Sequence, residues 1–307
     1  MKALSKTLTS GNFDEVFIEV SHEAKLGLVN SEQLRLFHLN VVDKAFSLKE
    51  LQSFLRKNIG QYVFSRMKIE EYELSGDAYS VGLDAIELMR RNGKADEKGT
   101  GNELGEILLY AFLEEKLNAP KIMSKVELQT DAKQSDSKCD SIHLLSLGND
   151  DAPYYHMVFG TSSIEGDVKD AIDMAFRAVT EIRDSKDKER TLAENTVFSR
   201  DLNENTVNRI RDILIPDPKK LANVDTAFGL FLGYSIGLNP ANYSSIDYRR
   251  AVNKKMELDI KNHARYIAQK IVDLNLEQYS FYLYVLPLDN ATEDKKAVME
   301  RIINGGQ

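Results

Sequence analysis

The spacing of apolar positions divides the chain into strands and helices from its first residues. Residues 13–20, FDEVFIEV, alternate apolar with acidic positions and predict a strand. Residues 34–42 predict a second, with Leu34, Leu36, His38 and Asn40 on one face and Arg35, Phe37, Leu39 and Val41 on the other. Leu48, Leu51, Phe54 and Leu55 then fall at helical spacing behind Ser47, and Glu50 three residues after that serine completes a capping-box pattern. Residues 62–66 extend this helix or begin another. A further helix is expected over 78–91, buried through Val81, Ala85, Leu88 and Met89.

Beyond the polar, glycine-rich segment 90–102 the pattern changes to helix, three strands, helix. A helix is expected at 103–117 and strands at 122–128, 141–147 and 156–159, followed by an amphipathic helix at 167–183 on Val168, Ile172, Ala175, Phe176 and Val179. Residues 185–190 read as a solvated charge run. Residues 205–214 predict a short helix stopped by Pro216 and Pro218. A buried strand at 226–236 follows, then the longest helix pattern at 247–274, with Ser244 and Ser245 as possible caps. A strongly β-biased strand at 279–288 and a helix at 293–303, capped by Thr292, complete the series. The expected class is α/β (α+β), a mixed sheet flanked by helices. Segment 90–102 is the best boundary, separating an N-terminal α/β extension (1–95) from a core (96–307).

Composition narrows the functions open to such a fold. With 42% apolar and 29% charged residues among 307, the chain can bury a real core, and a soluble globular protein is expected. No run approaches the roughly 18 apolar residues that cross a bilayer, and MKALSKTLTSGNF lacks the apolar run of a signal peptide. A cytoplasmic protein with no membrane association is the expectation. A single cysteine, Cys139, excludes an internal disulfide and a zinc site built on several thiolates. A net charge of −8 argues against a broad basic nucleic-acid face, so any such contact is local or delegated to a partner. The five histidines show no HxxxH or HExxH spacing and read as strand or surface residues. No GxxxxGK[ST], GxGxxG or GxSxG motif is present, so Ser162 and Ser163 read as turn serines.

Candidate chemistry lies in carboxylates. Glu103 and Glu106, three apart within an otherwise apolar helix, project from nearly one face. Burying them requires a metal, a proton or a cation, although the helix dipole also favours acids in a first turn. Asp140 opens the strand SIHLL, with Asp136 as a second choice nearby. A Mg²⁺ site typically uses one or two carboxylates plus waters and phosphate oxygens, so Asp140 with Glu103 or Glu106 suffices in principle. Arg90, Arg91, Lys94 and Lys98 form a small basic loop, an exposed linker or a contact to substrate phosphates.

The runs GNELGEILLYAFLEEKLNAPKIMSKVELQT, CDSIHLL and HMVFGTSSIEGDVKDAIDMAF resemble HamA, the nuclease subunit family of the Hachiman anti-phage defence system, most clearly over residues 100–183. That family is similar to PD-(D/E)xK nucleases and works beside a helicase subunit, HamB. The resemblance implies a Mg²⁺- or Mn²⁺-dependent nuclease acting on DNA, with Glu103 and Glu106 as the helix glutamates, Asp140 as the first-strand aspartate, and Glu106 and Asp140 as metal ligands. Family members that cleave DNA typically carry Glu-x-Lys after the glycine of the second strand. Here Gly160 is followed by Thr161, where the second metal carboxylate is expected, and by Ser163 in place of the lysine. Glu165 or Asp167 could supply the missing acid and Lys121 or Lys125 the missing amine. The alternative implied is a degenerate nuclease domain that scaffolds or regulates the helicase.

Overall fold

The computed structural model describes residues 4–9, 11–91, 100–129, 137–148, 154–199 and 223–305. Its centre is a seven-stranded mixed sheet in the order β1-β2-β9-β8-β7-β6-β5. These strands are β1 (Phe17–Val20), β2 (Glu32–Leu39), β5 (Lys121–Ser124), β6 (Ser141–Ser146), β7 (Tyr154–Glu165), β8 (Asn223–Ser235) and β9 (Ser280–Leu288). The four central strands, β2, β9, β8 and β7, pair in parallel, and β6, β5 and β1 add antiparallel edges. Every residue of β9, SFYLYVLPL, is buried, as expected of a strand covered on both faces. The class is therefore α/β, a mixed sheet flanked by helices. The N-terminal strands β1 and β2 belong to this sheet, because β2 pairs with both β1 and β9.

Helix α5 (Glu103–Glu115) lies on one face and is apolar nearly all round, the signature of a helix enclosed by protein. Phe112 in its last turn meets the rings of Phe13, Phe17, Phe37 and Tyr284 at 4.9, 5.1, 4.8 and 5.3 Å. Close approach to the sheet depends on glycine. A Cβ at Gly105 would lie 2.8 Å from Ser162 Oγ, and one at Gly160 would lie 2.8 Å from a methyl of Leu109. Helix α7 (Val168–Ser199) covers the opposite face with Ile172, Phe176 and Val179, and Phe176 stacks on Phe281.

Several sequence expectations are corrected by local physics. Residues 13–16 form a helical turn, α1 (Phe13–Val16), ahead of β1. The buried residues there are Phe13, Val16, Phe17 and Val20, which is helical spacing rather than alternation. The expected strand at 34–42 ends at Leu39, and Val41–Val42 (β3) instead forms a hairpin with Ala45–Phe46 (β4). Asp43 and Lys44 turn it at φ of 50° and 61°. Helix α2 (Leu48–Val63) begins after Ser47, but that serine makes no side-chain cap bond, and α3 (Arg66–Leu74) starts separately. Helix α4 spans Val81–Arg91.

The expected strand at 122–128 stops at Ser124, where the chain turns into α6 (Lys125–Gln129). Glu127 accepts the Ser124 N–H at 2.6 Å and the Glu127 N–H reaches Ser124 Oγ at 3.4 Å, a capping box. The segment GTSS is the extended middle of β7, paired with β8 through Glu165, rather than a turn. The charge run 185–190 continues α7, and its Glu189 is fully buried. Helix α8 (Ser245–Asp273) is capped by Ser244, and α9 (Ala291–Ile303) by Asn290 instead of Thr292. The helix expected at 205–214, with Pro216 and Pro218, lies outside the described residues, as do Lys94, Lys98 and Asp136. No described helix is long and apolar enough to cross a membrane.

Candidate active site

The site forms where the first turn of α5 meets the start of β6. Glu106 projects from that turn with its side chain only 12% exposed. Its Oε1 accepts Lys125 Nζ at 2.9 Å and its Oε2 accepts the Tyr62 hydroxyl at 2.8 Å. Asp140, one residue before β6, takes the same ammonium on Oδ1 at 3.1 Å, while Oδ2 accepts the Ser162 N–H at 2.7 Å and Ser162 Oγ at 2.8 Å. Asp140 is also held by its backbone, because its N–H reaches Gly160 O and its carbonyl accepts the Lys125 N–H, each at 2.8 Å. The capping box at Ser124 therefore does more than end a strand. It makes Lys125 the first residue of a helix whose backbone is tied to Asp140 and whose ammonium joins both carboxylates.

A buried acid on α7 fixes the segment that leads to Asp140. Glu189 accepts the Lys138 N–H at 2.6 Å, Ser137 Oγ at 2.7 Å and the Cys139 thiol at 3.3 Å. Burial, with Glu189 beside it, pushes the Cys139 thiol well above its ordinary range, so the sulfur is unreactive.

The charges of the site are interdependent. Burial raises the Glu106 carboxyl, Lys125 opposes the rise and the Asp140 charge adds to it. Lys125 is raised, first by Asp140 and, against the opposing effect of burial, also by Glu106, so it remains an ammonium. Burial and then Glu106 raise the Tyr62 phenol, which stays a donor. Glu103 is buried in the same helical turn and adds its charge around Tyr62.

The two lysines proposed for the amine separate cleanly. Lys121 is fully buried and places its three N–H donors on the carbonyls of Gln61, Tyr62 and Phe64 at 2.8, 2.9 and 2.9 Å, with Glu127 at 3.2 Å. It caps the C-terminus of α2. Lys125, 31% exposed, is the lysine at the carboxylates.

Thr161 and Ser163 do not meet the other candidates. Side chains alternate along a strand, and Ser162 and Ile164 face α5. Thr161 and Ser163 therefore face α7, both buried, and Ser163 Oγ has no hydrogen-bond partner among the described residues. Asp167 caps α7 by accepting the Lys169 N–H at 2.7 Å. The structure thus brings together Glu106, Asp140 and Lys125, and adds Tyr62, Ser162 and the supporting Glu189. The histidines are bound to backbone or phenolic groups, as with His143 on Ala119 O and His156 between Tyr154 and Tyr282.

Among the described residues no group of three or more His, Cys, Asp or Glu side chains could hold a metal. The pair Asp140 and Glu106 still suits one hard cation, since carboxylate oxygens have spare lone pairs and Mg²⁺ completes its shell with water and phosphate. A model of the HamA family matches residues 14–302 of the 307. The chain belongs to the HamA family. Membership gives it a role in anti-phage defence, within the Hachiman system. No curated protein and no solved structure matches this HamA-family chain.

Proposed function

We propose that the chain is a metal-dependent nuclease subunit that cuts DNA phosphodiesters under the control of a helicase partner. The observation that carries this reading is the convergence of two carboxylates from different elements, Glu106 and Asp140, on one ammonium within 2.9 and 3.1 Å. Acid, acid and amine are the groups expected of such a nuclease, with the amine arriving from α6 instead of β7. Asp140 and Glu106 would hold Mg²⁺ or Mn²⁺. When bound, such a cation supplies Lewis-acid polarisation of the phosphate and a more acidic water.

The chain's own residues orient and compensate. Tyr62 holds the Glu106 carboxylate, and Ser162 holds Asp140 through two donors. Lys125, kept protonated by its neighbours, serves as a positive donor toward a phosphate oxygen rather than as a base. The net charge of −8 fits a division of labour in which the helicase grips the DNA.

A second reading, a catalytically silent scaffold for the helicase, has its own support. All four oxygens of Glu106 and Asp140 already accept hydrogen bonds from protein donors, so the pair is satisfied without a metal. The two readings separate in one assay, in which the purified chain and helicase are incubated with supercoiled plasmid, ATP and Mg²⁺ or Mn²⁺. The nuclease reading expects nicking that EDTA abolishes and excess metal restores. Intact plasmid with either metal, together with a changed helicase rate when this chain is added, would favour the scaffold.

A further inference from the structure

Away from the carboxylates, α2, α4 and the end of α9 enclose an open groove of about 970 Å³. Three cations border it, Lys49 and Arg56 from α2 and Arg301 from α9, and no carboxylate is among its described lining residues. In a chain of net charge −8, such a concentration of positive charge is a local feature. The groove's apolar part is Tyr79, 95% exposed, Leu83, 71% exposed, and Ile86. Apolar side chains left this open beside fixed charges mark a surface for a partner.

The spacing selects the partner's shape. Lys49 and Arg56 are seven residues apart on one helix, about 10.5 Å along its axis at 1.5 Å per residue. A second helix laid along the groove repeats its own side chains at the same interval, with apolar residues between at i+3 and i+4. The aliphatic floor of Leu83 and Ile86 offers nothing to a base edge or a phosphate, and it favours protein over nucleic acid. We propose that this groove receives an acidic amphipathic helix of the partner subunit, with carboxylates seven residues apart facing Lys49 and Arg56.

Two of the groove's helices also lead to the carboxylate site. Six residues beyond Arg56, α2 presents Tyr62 to Glu106. On α9, Lys295 donates to Asn102 Oδ1 at 2.9 Å and to Ile164 O at 2.8 Å, just ahead of α5 and on β7. The groove and the carboxylate site thus share two helices, through which docking would reach Tyr62 and the first turn of α5. The docking rests on the proposed helicase partner, and this second consequence rests in addition on the carboxylate site being the working one.

The test places the photo-crosslinker p-benzoylphenylalanine at Leu83 of the full chain, co-expressed with its helicase partner in an Asp140→Asn background, so that no cleavage is needed. The expected result is an adduct on one partner segment that carries acidic residues seven apart with apolar residues between. Arg56→Glu with Arg301→Glu, both exposed and checked for an unchanged melting temperature, should lower the adduct yield at least about tenfold, as loss of paired charges at an interface does. Glu→Lys changes in the crosslinked segment should restore it. Adducts on DNA, on a second copy of this chain or on a basic segment would overturn the proposal, as would no adduct or one indifferent to charge reversal. No adduct from the Leu83 probe, with nicking retained by the complex whose Asp140 is intact, would remove the groove proposal and leave the nuclease reading standing.

Discussion

Asp140→Asn is expected to slow plasmid nicking by the assembled complex on the order of a thousandfold or more. Asparagine keeps the shape and can still accept from Ser162, so the start of β6 stays in place. What disappears is the charge that would bind the cation and that contributes most to holding Lys125 protonated. A bound metal contributes several kcal/mol to stabilising developing charge, and each 1.36 kcal/mol is a factor of ten in rate. Thr161→Ala and Ser163→Ala, on the α7 face, should leave nicking close to wild type in the same assay. If those two variants lost as much activity as Asp140→Asn, the site would lie on the wrong side of the sheet.

Lys125→Met is expected to reduce nicking by about 10²–10³, the range for removal of one preorganised donor from an active site. It should also change stability in a pH-dependent way. Burial already raises the Glu106 carboxyl and Lys125 restrains it, so the substitution raises it further. A carboxyl whose folded pKa lies above its unfolded value, about 4.3, leaves stability intact below that value and lowers it as pH rises toward the folded pKa. The variant's deficit against wild type should therefore be smaller at pH 4, where the lost Asp140 contact remains, and should grow by roughly 1–3 kcal/mol by pH 8. That figure is below the 3–5 kcal/mol for breaking a fully buried pair, because Lys125 is 31% exposed. Urea unfolding at the two pH values measures the difference, and an equal deficit at both would contradict the assigned partners.

The sheet and most helices were legible in apolar spacing, because both faces of the central strands are buried and α5 is enclosed by aromatic rings. What escaped has specific causes. Phe13, Val16, Phe17 and Val20 satisfy a helical spacing that eight residues of apparent alternation conceal. The capping box at Ser124 and Glu127 is an S-x-x-E signal in plain sight, but it sits inside a run of apolar residues that also suits a strand. Glu189 looks solvated in a run of charges, and only the packing of α7 against the Cys139 segment shows that it is buried. Residue type and order offered Glu103 or Glu106 with Asp140, and the choice of Glu106 came from the family resemblance. The partners that complete the pair were not legible, since Tyr62 and Lys125 reach Glu106 across 44 and 19 residues of chain. Ser162 was masked by reading GTSS as a turn; once that segment is a strand, alternation assigns Ser162 to the carboxylates and sends its two neighbours to the other face.

Crystals of the chain soaked in Mn²⁺, with data collected at the manganese absorption edge, test the central claim most directly. The account predicts an anomalous peak within coordination distance of both the Asp140 and Glu106 carboxylates, accompanied by movement of the Lys125 ammonium away from at least one of them. Manganese bound elsewhere in the crystal with none between Asp140 and Glu106, or a peak on the Thr161 and Ser163 side of β7, would contradict it.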